Sequence, residues 1–526
     1  STGQTVFQVL LAEIALQRGD LELASQAYAN LAMRTRDPKV MERTIEVAGY
    51  ARRLDLARET AQLWLDADPE SKQAQRMLVS VLILNNQLEE LPPHLIRLLQ
   101  SDPKTLAENL LGLNRMFART TNRLAVFRLI DTVCRPFFGI AEAHYAIALA
   151  ANSAGQVERA RNEIRKAMEL RPEWEMAAFL HAQFLMRESP AAAIAFLEDF
   201  LQRNPSAREA ELLLARALVG ERRYADAKQH FNRLLEVYPN SPDVVYAIAI
   251  LALQQDDKAL AETHLKHFVT LRGPDKSTAY YYLGQLAEDG RRDGEALTHY
   301  AQVVSGENYL SAQIRRARLL AQQGQLDQAR DVLRNAKTEG AEQGVQLLVA
   351  EASLLREAKR VQEAFDLLEG RLAEQPEQPD LIYETALLAE RLNNVELMDA
   401  RLRRLIELRP DNPQAYNALG YAYADRNERL AEARQLIEKA LALAPDDGFI
   451  LDSMGWVLYR QGDLAGALTY LERSYAKRED PEVAAHLGEV LWALGRQDDA
   501  RRVLQAAQKA HPTNEALAET VRKLIP

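Results

Sequence analysis

The sequence predicts an all-α fold, a solenoid assembled from about fifteen helix pairs of similar length. Prolines recur along almost the whole chain at intervals of 31 to 36 residues, and alanines recur in step with them. Glycine (23 residues) and proline (20) are sparse among 526 residues, and hydrophobic residues make up 47% of the chain. A fixed period of this length is the sequence signature of stacked repeats, in which each unit packs only against its neighbours.

The prolines that set the period mark the ends of the repeated units. They are Pro38, Pro69, Pro103, Pro136, Pro172, Pro205, Pro239, Pro274, Pro376, Pro410, Pro445, Pro481 and Pro512. The gap from Pro274 to Pro376 is 102 residues, or three periods of 34, and Pro38 lies 474 residues, or about fourteen periods, before Pro512. Because proline cannot continue a helix interior, each of these residues predicts the end of a unit.

Alanines and glycines divide each unit into two helices. The alanines are Ala24, Ala57, Ala160, Ala193, Ala227, Ala261, Ala296, Ala329, Ala364, Ala433, Ala467 and Ala500. The glycines Gly19, Gly155, Gly324, Gly462 and Gly495 each precede one of these alanines by five residues. The alanines predict a close crossing of two antiparallel helices, and the glycines predict a tight turn with positive φ. Apolar residues between the markers have helical spacing, as at Ile147, Ala148 and Ala151.

Two units carry the fullest version of the pattern. The first consists of Tyr416, Leu419, Gly420, Tyr423, Ala433, Ile437, Ala440 and Pro445. The second consists of Leu487, Gly488, Leu491, Gly495, Ala500, Leu504, Ala507 and Pro512. The pattern resembles the tetratricopeptide repeat family over most of residues 1–512. The resemblance implies a right-handed superhelical solenoid of tetratricopeptide-like helix pairs, with the first helix of each pair lining a concave groove.

The sequence divides into three regions according to how closely each stretch follows the repeat pattern. Residues 1–140 are expected to hold N-terminal repeats that become degenerate from about residue 73, where Pro92 and Pro93 interrupt one unit. Residues 141–512 are expected to form the regular array. Residues 513–526 are expected to form a C-terminal capping helix, because a solenoid end must cover its last apolar face and show water a polar one.

Charge and cysteine content narrow the class of partner. The net charge of −10 argues against nucleic acid as a partner, because proteins that bind nucleic acid usually carry a basic face. It also argues against pentatricopeptide repeats, which usually bind RNA.

The single cysteine, Cys134, excludes an intramolecular disulfide. No apolar run is long enough to span a bilayer. The chain begins with Ser1 rather than methionine, so we expect a removed leader or anchor segment.

No motif for catalysis, cofactor binding or metal binding is present. The sequence contains no Gly-rich phosphate loop ending in Gly-Lys-Ser/Thr, no His-Glu-x-x-His and no pair of cysteines for zinc. The repeats occupy about 500 residues, which leaves no room for a conventional catalytic domain. The sequence therefore predicts a protein that is not an enzyme and has no cofactor.

The resemblance places a set of aromatic and polar side chains in the groove. These candidate protein-binding residues are Tyr281, Tyr383, Arg391, Asn417, Tyr421, Trp456, Tyr459, Arg460 and Trp492. Large rigid rings and arginine donors are the side chains that dominate protein interfaces. Two interpretations stay open: the rings form a binding surface, or they fill gaps between neighbouring first helices. The positions that clamp chaperone tails in this family hold Tyr421, Trp456 and Glu489 here, which disfavours that ligand.

The chain as a whole resembles the large periplasmic lipoproteins of Gram-negative bacteria that partner a carboxyl-terminal processing protease. The resemblance implies a non-enzymatic adaptor, anchored at the outer membrane by a lipid on an absent segment, that presents cell-wall hydrolases to the protease. One alternative is an assembly factor for surface polysaccharide or pilus machinery. Another is the repeat half of a glycosyltransferase-like enzyme.

Overall fold

The computed structural model describes residues 2–525, and within this range the chain forms 31 α-helices and no β-strand. The helices are α1 (Thr2–Gln17), α2 (Leu21–Thr35), α3 (Pro38–Tyr50), α4 (Leu54–Ala67), α5 (Lys72–Leu84), α6 (Leu91–Gln100), α7 (Leu106–Met116), α8 (Arg123–Cys134), α9 (Ala141–Ser153), α10 (Val157–Leu170), α11 (Glu175–Glu188), α12 (Pro190–Arg203), α13 (Arg208–Gly220), α14 (Tyr224–Val237), α15 (Pro242–Gln254), α16 (Lys258–Thr270), α17 (Ser277–Asp289), α18 (Asp293–Ala301), α19 (Tyr309–Gln322), α20 (Leu326–Arg334), α21 (Ala341–Glu357), α22 (Val361–Glu374), α23 (Pro379–Arg391), α24 (Val395–Leu408), α25 (Pro413–Asp425), α26 (Leu430–Leu443), α27 (Gly448–Arg460), α28 (Leu464–Lys477), α29 (Pro481–Ala493), α30 (Gln497–Ala510) and α31 (Glu515–Leu524).

Most consecutive helices pack as pairs, such as α1 with α2, α9 with α10 and α29 with α30, and α31 follows the last pair. The predicted all-α repeat fold and the expected number of about fifteen helix pairs are therefore confirmed. The chain divides into two compact units, one ending at His264 and the other beginning at Leu265.

The turn inside most pairs contains a residue with a left-handed backbone conformation, although the turns between α7 and α8 and between α11 and α12 contain none. All five glycines that predicted a turn have positive φ, for example 73° at Gly155. In other pairs a non-glycine residue has the same conformation, such as Lys359 (φ 61°) or Asn427 (φ 57°). A left-handed residue after a helix satisfies its last carbonyls and reverses the chain. The alanines of the pattern are fully buried where the helices cross, as at Ala160 and Ala433.

In the first unit, the segment around residues 73–140 forms short helices around one apolar core. Pro92 and Pro93 lie in the first turn of α6, where a missing N–H breaks no intrahelical bond. Gly112 lies inside α7, and a Cβ added there would meet no atom within 4 Å. The helices of this segment bury Leu110, Phe117 and neighbouring side chains together. The proline pair and the glycine are thus accommodated within helix pairs.

The first helix of the first unit has an apolar exposed face. Val6 (53% exposed), Phe7 (65%) and Leu10 (55%) lie on α1, whereas Ala12 and Ala15 on the same helix are buried in the core. Across residues 2–525, no helix combines the length and apolar character that crossing a bilayer requires.

In the second unit, α31 covers the last pair and the chain returns towards an earlier turn. Leu517 of α31 is fully buried against α29 and α30, and the Asn514 side chain caps α31 by accepting a hydrogen bond from the Leu517 N–H. Nζ of Lys359, in the turn between α21 and α22, lies 3.6 Å from Oε1 of Glu515 at the start of α31. The two ends of this stretch of helix pairs therefore lie close to each other.

Candidate functional site

The side of a first helix that faces away from its second helix is identified by its buried glycine. In α27, a Cβ added at Gly455 would lie 2.5 Å from Cγ of Leu471 on the second helix of the same pair. In α29, a Cβ added at Gly488 would lie 2.6 Å from Cδ2 of Leu504. The glycines therefore face the second helices. The residue three positions before each glycine and the residue one position after it are four apart, so they lie together on a different side of the first helix.

This other side of α23, α25, α27 and α29 is called here the first-helix face. Packing of α25 on α27, and of α27 on α29, places the faces of these helices side by side. Six side chains at their centre form what is called here the Trp456 cluster: Tyr421, Asp452, Trp456, Tyr459, Arg460 and His486.

The indole of Trp456 is the centre of the cluster and is only 5% exposed. Its ring stacks on the imidazole of His486, with centroids 4.0 Å apart and planes inclined by 21°. The Tyr459 ring centroid lies 5.1 Å from that of Trp456. The guanidinium carbon of Arg460 lies 4.9 Å from the indole centroid, a cation–π distance. Three neighbouring side chains therefore fix the position of the indole ring.

The His486 imidazole connects the aromatic rings to a carboxylate. Its Nδ1 lies 3.0 Å from both carboxylate oxygens of Asp452, and its ring centroid lies 6.1 Å from that of Tyr421. Burial alone would lower the pKa of His486, but the charges of Asp452, Glu482 and Asp425 outweigh it and raise this pKa above its usual value. The protonated imidazole is thus the form that the site favours.

Carboxylates without ion-pair partners surround the cluster. Within the described chain, Glu390, Asp425 and Glu482 form no ion pair. Burial, followed by the charge of Asp425, raises the pKa of Glu390. Burial, followed by the charges of Asp425, Asp452 and Glu482, raises the pKa of Tyr421. The first-helix face therefore combines carboxylates with the guanidinium groups of Arg391, Arg426 and Arg460 around the His486 imidazole.

Three buried polar atoms at this face have no hydrogen-bond partner within residues 2–525. They are Nε1 of Trp456, Oδ1 of Asn417 and Nε of Arg460. Nearly all buried polar groups in folded proteins are paired, and one left unpaired costs about 1–3 kcal/mol. These donors and this acceptor are thus enclosed beside the aromatic rings.

The structure brings four of the nine predicted site residues into the Trp456 cluster. Tyr421, Trp456, Tyr459 and Arg460 lie together, and Nη2 of Arg460 also donates a hydrogen bond to the carbonyl oxygen of Asp425 at 2.7 Å.

The other five predicted residues occupy different environments. Tyr383 is half-buried, and burial followed by the charges of Glu384 and Glu390 raises its pKa, whereas Arg391 on the same helix is exposed. Asn417 is half-buried on α25.

Trp492 and Tyr281 contact other side chains. The ring of Trp492 lies 5.4 Å from the guanidinium carbon of Arg501 on α30. Tyr281 lies on α17, with its ring centroid 6.1 Å from that of the buried Tyr300.

The sequence-based selection omitted His486, Asp452 and Glu482. Asp452 and His486 are 34 residues apart, which is one repeat period. Residues about one period apart lie near corresponding places on adjacent first helices, so this spacing was a signal that could have identified the pair. Among residues 2–525, no group of three or more His, Cys, Asp or Glu side chains is arranged to hold a metal ion.

Solved structures with a similar chain path include a tetratricopeptide repeat protein from Thermus thermophilus (22% identical, TM-score 0.32), which covers 34% of this chain and 98% of its own length. Another is a tetratricopeptide repeat protein from Parabacteroides merdae (16% identical, TM-score 0.38), which covers 48% of this chain and 99% of its own.

Sequence comparison gives matches over most of the chain. The TPR repeat-containing protein PA4667 of Pseudomonas aeruginosa is 33% identical over 487 residues, covering 92% of this chain and 82% of that protein. Human tetratricopeptide repeat protein 21B is 26% identical over 329 residues, covering 62% of this chain and 24% of that protein. Family models described as tetratricopeptide repeats match residues 141–173, 184–251, 246–309, 310–335, 383–448 and 453–515. The chain therefore belongs to the tetratricopeptide repeat family.

Proposed function

We propose that this chain is a scaffold that binds partner proteins along its first-helix face and works as an adaptor in the cell envelope. In this role it presents cell-wall hydrolases to a periplasmic carboxyl-terminal processing protease, while a lipid on a preceding segment holds it at the outer membrane. Tetratricopeptide repeat proteins bind other proteins, which supports the general role. The overall resemblance to periplasmic lipoprotein adaptors supports the particular one.

The observation that carries the binding role is the Trp456 cluster. Buried Trp456 joins Tyr421, Tyr459 and Arg460 beside a face with unpaired polar atoms. Tryptophan, tyrosine and arginine are the residues enriched where alanine substitution costs most at protein interfaces.

The adaptor role is tested by capture from a periplasmic extract with the full chain as bait, followed by mass spectrometry. The expected result is recovery of a carboxyl-terminal processing protease together with cell-wall hydrolases. Recovery of pilus or polysaccharide assembly components instead would support an assembly factor and contradict the adaptor.

A reconstituted reaction then tests the groove. With purified protease and a captured hydrolase, the full chain is expected to increase the rate of hydrolase cleavage. Substitution of both Tyr421 and Trp456 by alanine is expected to remove most of that increase while helicity measured by circular dichroism stays unchanged. The matched control is Tyr50→Ala, which removes a ring that is 73% exposed on α3. Equal cleavage rates with the double variant and the control would contradict a role for the first-helix face.

A further inference from the structure

We propose that a cavity at the ends of α18 and α20, called here the Arg316 cavity, binds a segment of a partner protein. The segment inserts an apolar side chain and a nearby aspartate or glutamate, whose carboxylate pairs with Arg316. This inference rests on the proposed scaffold function and adds a second contact for partner proteins, outside the first-helix face.

The Arg316 cavity exists because two successive second helices are short. α18 and α20 have 9 residues each, whereas α22 and α24 have 14. The difference exceeds one helical turn. The space that remains has a volume of about 400 Å³ and lies between the loop after α18, one side of α19 and the end of α20. Proteins hold ligands in pockets of roughly 300–1,000 Å³, so a few side chains of a partner fit here.

The cavity has an apolar lining that water can reach. Val304, in the loop after α18, is 65% exposed, and Tyr309 at the start of α19 is half-buried. Val332 and Ala336, from the end of α20 and the loop after it, are also half-buried. Removing apolar surface from water is favourable, so this lining favours an apolar side chain of the partner.

Arg316 lies at a repeat position that is apolar and buried in many other pairs. It lies eight residues before Gly324, the left-handed residue of its turn. At the same distance from the turn, other pairs have a leucine or isoleucine that is at most 5% exposed, as at Ile147, Leu214, Ile248, Leu283, Leu419 and Leu487. Arg316 instead lines the cavity, is half-buried and forms no ion pair within the described chain. A partly desolvated guanidinium without a partner gains strongly from a carboxylate.

The next helix pair shows how a charge at this position is paired inside the chain. Glu351 lies eight residues before the left-handed Lys359 and is 2% exposed. Its Oε1 lies 2.8 Å from Nε of Arg330 and 2.7 Å from Nη2 of Arg334. These two arginines are the fifth and ninth residues of α20, the second helix of the preceding pair. A glutamate side chain among arginines is therefore already accommodated at this place in the repeat.

Arg316 has no such partner on the helix that precedes it. The fifth and ninth residues of α18 are Leu297 and Ala301, which carry no charge. The carboxylate that would complete the pairing has to come from another molecule. The pairing of Glu351 favours the side chain of a glutamate or aspartate as its source.

The charges of the cavity lining favour an anion. The charged residues of the lining are Arg316, Lys337 and Asp331. Lys337 and Asp331 are exposed, and neither forms an ion pair within the described chain. Two cations and one anion therefore face the ligand, and Asp331 opposes the binding of a carboxylate.

The test uses three synthetic twelve-residue peptides, acetylated and amidated at their ends, with a central leucine. They are identical except for the residue two positions after the leucine, which is Glu, Gln or Lys and lies on the same side of an extended strand. Anisotropy of each fluorescently labelled peptide with the full chain measures binding at low salt. The Glu peptide is expected to bind about tenfold more tightly than the Gln peptide, and the Lys peptide more weakly than either.

Variants on one helix separate the cavity from net charge. Arg316→Gln is expected to weaken Glu-peptide binding about tenfold and to leave Gln-peptide binding unchanged. The matched control is Arg318→Gln, which removes the same charge from an exposed position on α19 outside the lining and is expected to change neither. Asp331→Asn is expected to strengthen Glu-peptide binding. Equal loss with Arg316→Gln and Arg318→Gln, or no loss with either, would overturn the proposal.

A second pair of variants tests the apolar lining. Val304→Asn is expected to weaken both the Glu and the Gln peptide several-fold. Val237→Asn changes a valine that is 63% exposed at the end of the longer α14 and is expected to leave binding unchanged. Arg316 has no ion pair to lose, so the urea midpoint of Arg316→Gln should equal that of the parent. A loss of binding in that variant then does not come from unfolding.

The outcome also separates this inference from the scaffold function. Failure of all three peptides while the chain still captures proteins from an extract, or equal binding of the Glu and Lys peptides, overturns the Arg316 cavity alone. Failure of both peptide binding and capture overturns the scaffold function as well.

Discussion

The imidazole of His486 lies flat against the indole of Trp456, with ring centroids 4.0 Å apart, while its Nδ1 contacts both carboxylate oxygens of Asp452 at 3.0 Å. One side chain thus connects the aromatic and acidic parts of the first-helix face. It belongs to α29, whereas its two partners belong to α27. The relative placement of two helix pairs therefore depends on this contact.

Removing only the indole N–H should separate binding from folding. Trp456→Phe keeps an aromatic ring against His486 but removes the unpaired Nε1–H. Because that donor has no partner in the folded chain, its loss is expected to leave the free energy of unfolding within about 1 kcal/mol of the parent. The increase in hydrolase cleavage in the reconstituted reaction is expected to weaken several-fold. Urea unfolding and the cleavage rate measure the two effects, and a large loss of stability with an unchanged cleavage rate would show that the indole serves only the core.

Protonation of His486 should stabilise the second unit. The group is faced by Asp452 from α27, by Glu482 on its own helix, and by Asp425 and Tyr421 from α25, and its pKa is raised in the fold. A raised folded pKa means that this stabilisation is fully present below the unfolded pKa of about 6.5 and is lost as pH rises through the folded value. The thermal midpoint is expected to fall between pH 6 and pH 9.

The variant His486→Asn should reduce this pH dependence. The control His511→Asn changes an exposed histidine after α30 and is expected to keep the parent profile. Identical profiles for the parent and for His486→Asn would contradict the prediction.

The Leu-Gly pair of α25 should tolerate no added carbon. A Cβ at Gly420 would lie 2.7 Å from Cγ1 of Ile437 and 2.9 Å from the carbonyl oxygen of Ala433, so Gly420→Ala is expected to destabilise by about 1–3 kcal/mol. Gly112→Ala is the matched control, because no atom lies within 4 Å of its added Cβ. That change, inside α7, is expected to stabilise by about 0.5–1 kcal/mol. Denaturant midpoints that shift in the same direction would contradict the crossing geometry.

Glu163 should be the most sensitive carboxylate of the first unit. It is fully buried and hydrogen-bonded to Nδ1 of His144, with Nζ of Lys166 at 3.0 Å. Burial would raise its pKa, but these hydrogen bonds and the charge of Arg159 lower it. Removing one member of a buried ion pair leaves the others uncompensated, so Glu163→Ala is expected to cost about 3 kcal/mol.

The pH dependence of this group has the opposite sign to that of His486. A lowered folded pKa means that the contribution of Glu163 is present above its unfolded pKa and is lost as pH falls through the folded value. Thermal unfolding between pH 7 and pH 3 should show this loss in the parent and less of it in Glu163→Ala. Glu169→Ala on the exposed side of α10 is the control and is expected to behave as the parent does.

The repeat pattern predicted the pairing of helices well because proline, glycine and alanine act through local geometry. Gly155 and Gly462 have positive φ as expected, and Ala433 is fully buried at its crossing. The turn at Lys359 has the same conformation without a glycine, so the sequence carried no turn signal there. Pro92 and Pro93, which were expected to interrupt a unit, lie in the first turn of α6.

The cluster was only partly predictable, because contacts between neighbouring first helices depend on how each helix is rotated. Trp456 and Tyr421 lie at equivalent positions of their repeats, one residue after the Leu-Gly glycine. His486 lies one position later in its repeat than Asp452 does in its own, and one position corresponds to about 100° around a helix. Periodicity alone therefore indicates which residues share a face. It does not give the angle at which Trp456 and His486 meet.

The approach of Lys359 to Glu515 has a consequence for how firmly the two ends of this stretch of helices are held together. Both side chains are largely exposed, at 85% and 90%, and an exposed ion pair contributes no more than about 1 kcal/mol. Salt screens a contact of this kind. We therefore expect the spacing between the turn at Lys359 and the start of α31 to vary with ionic strength, while the helix pairs between them keep their own packing.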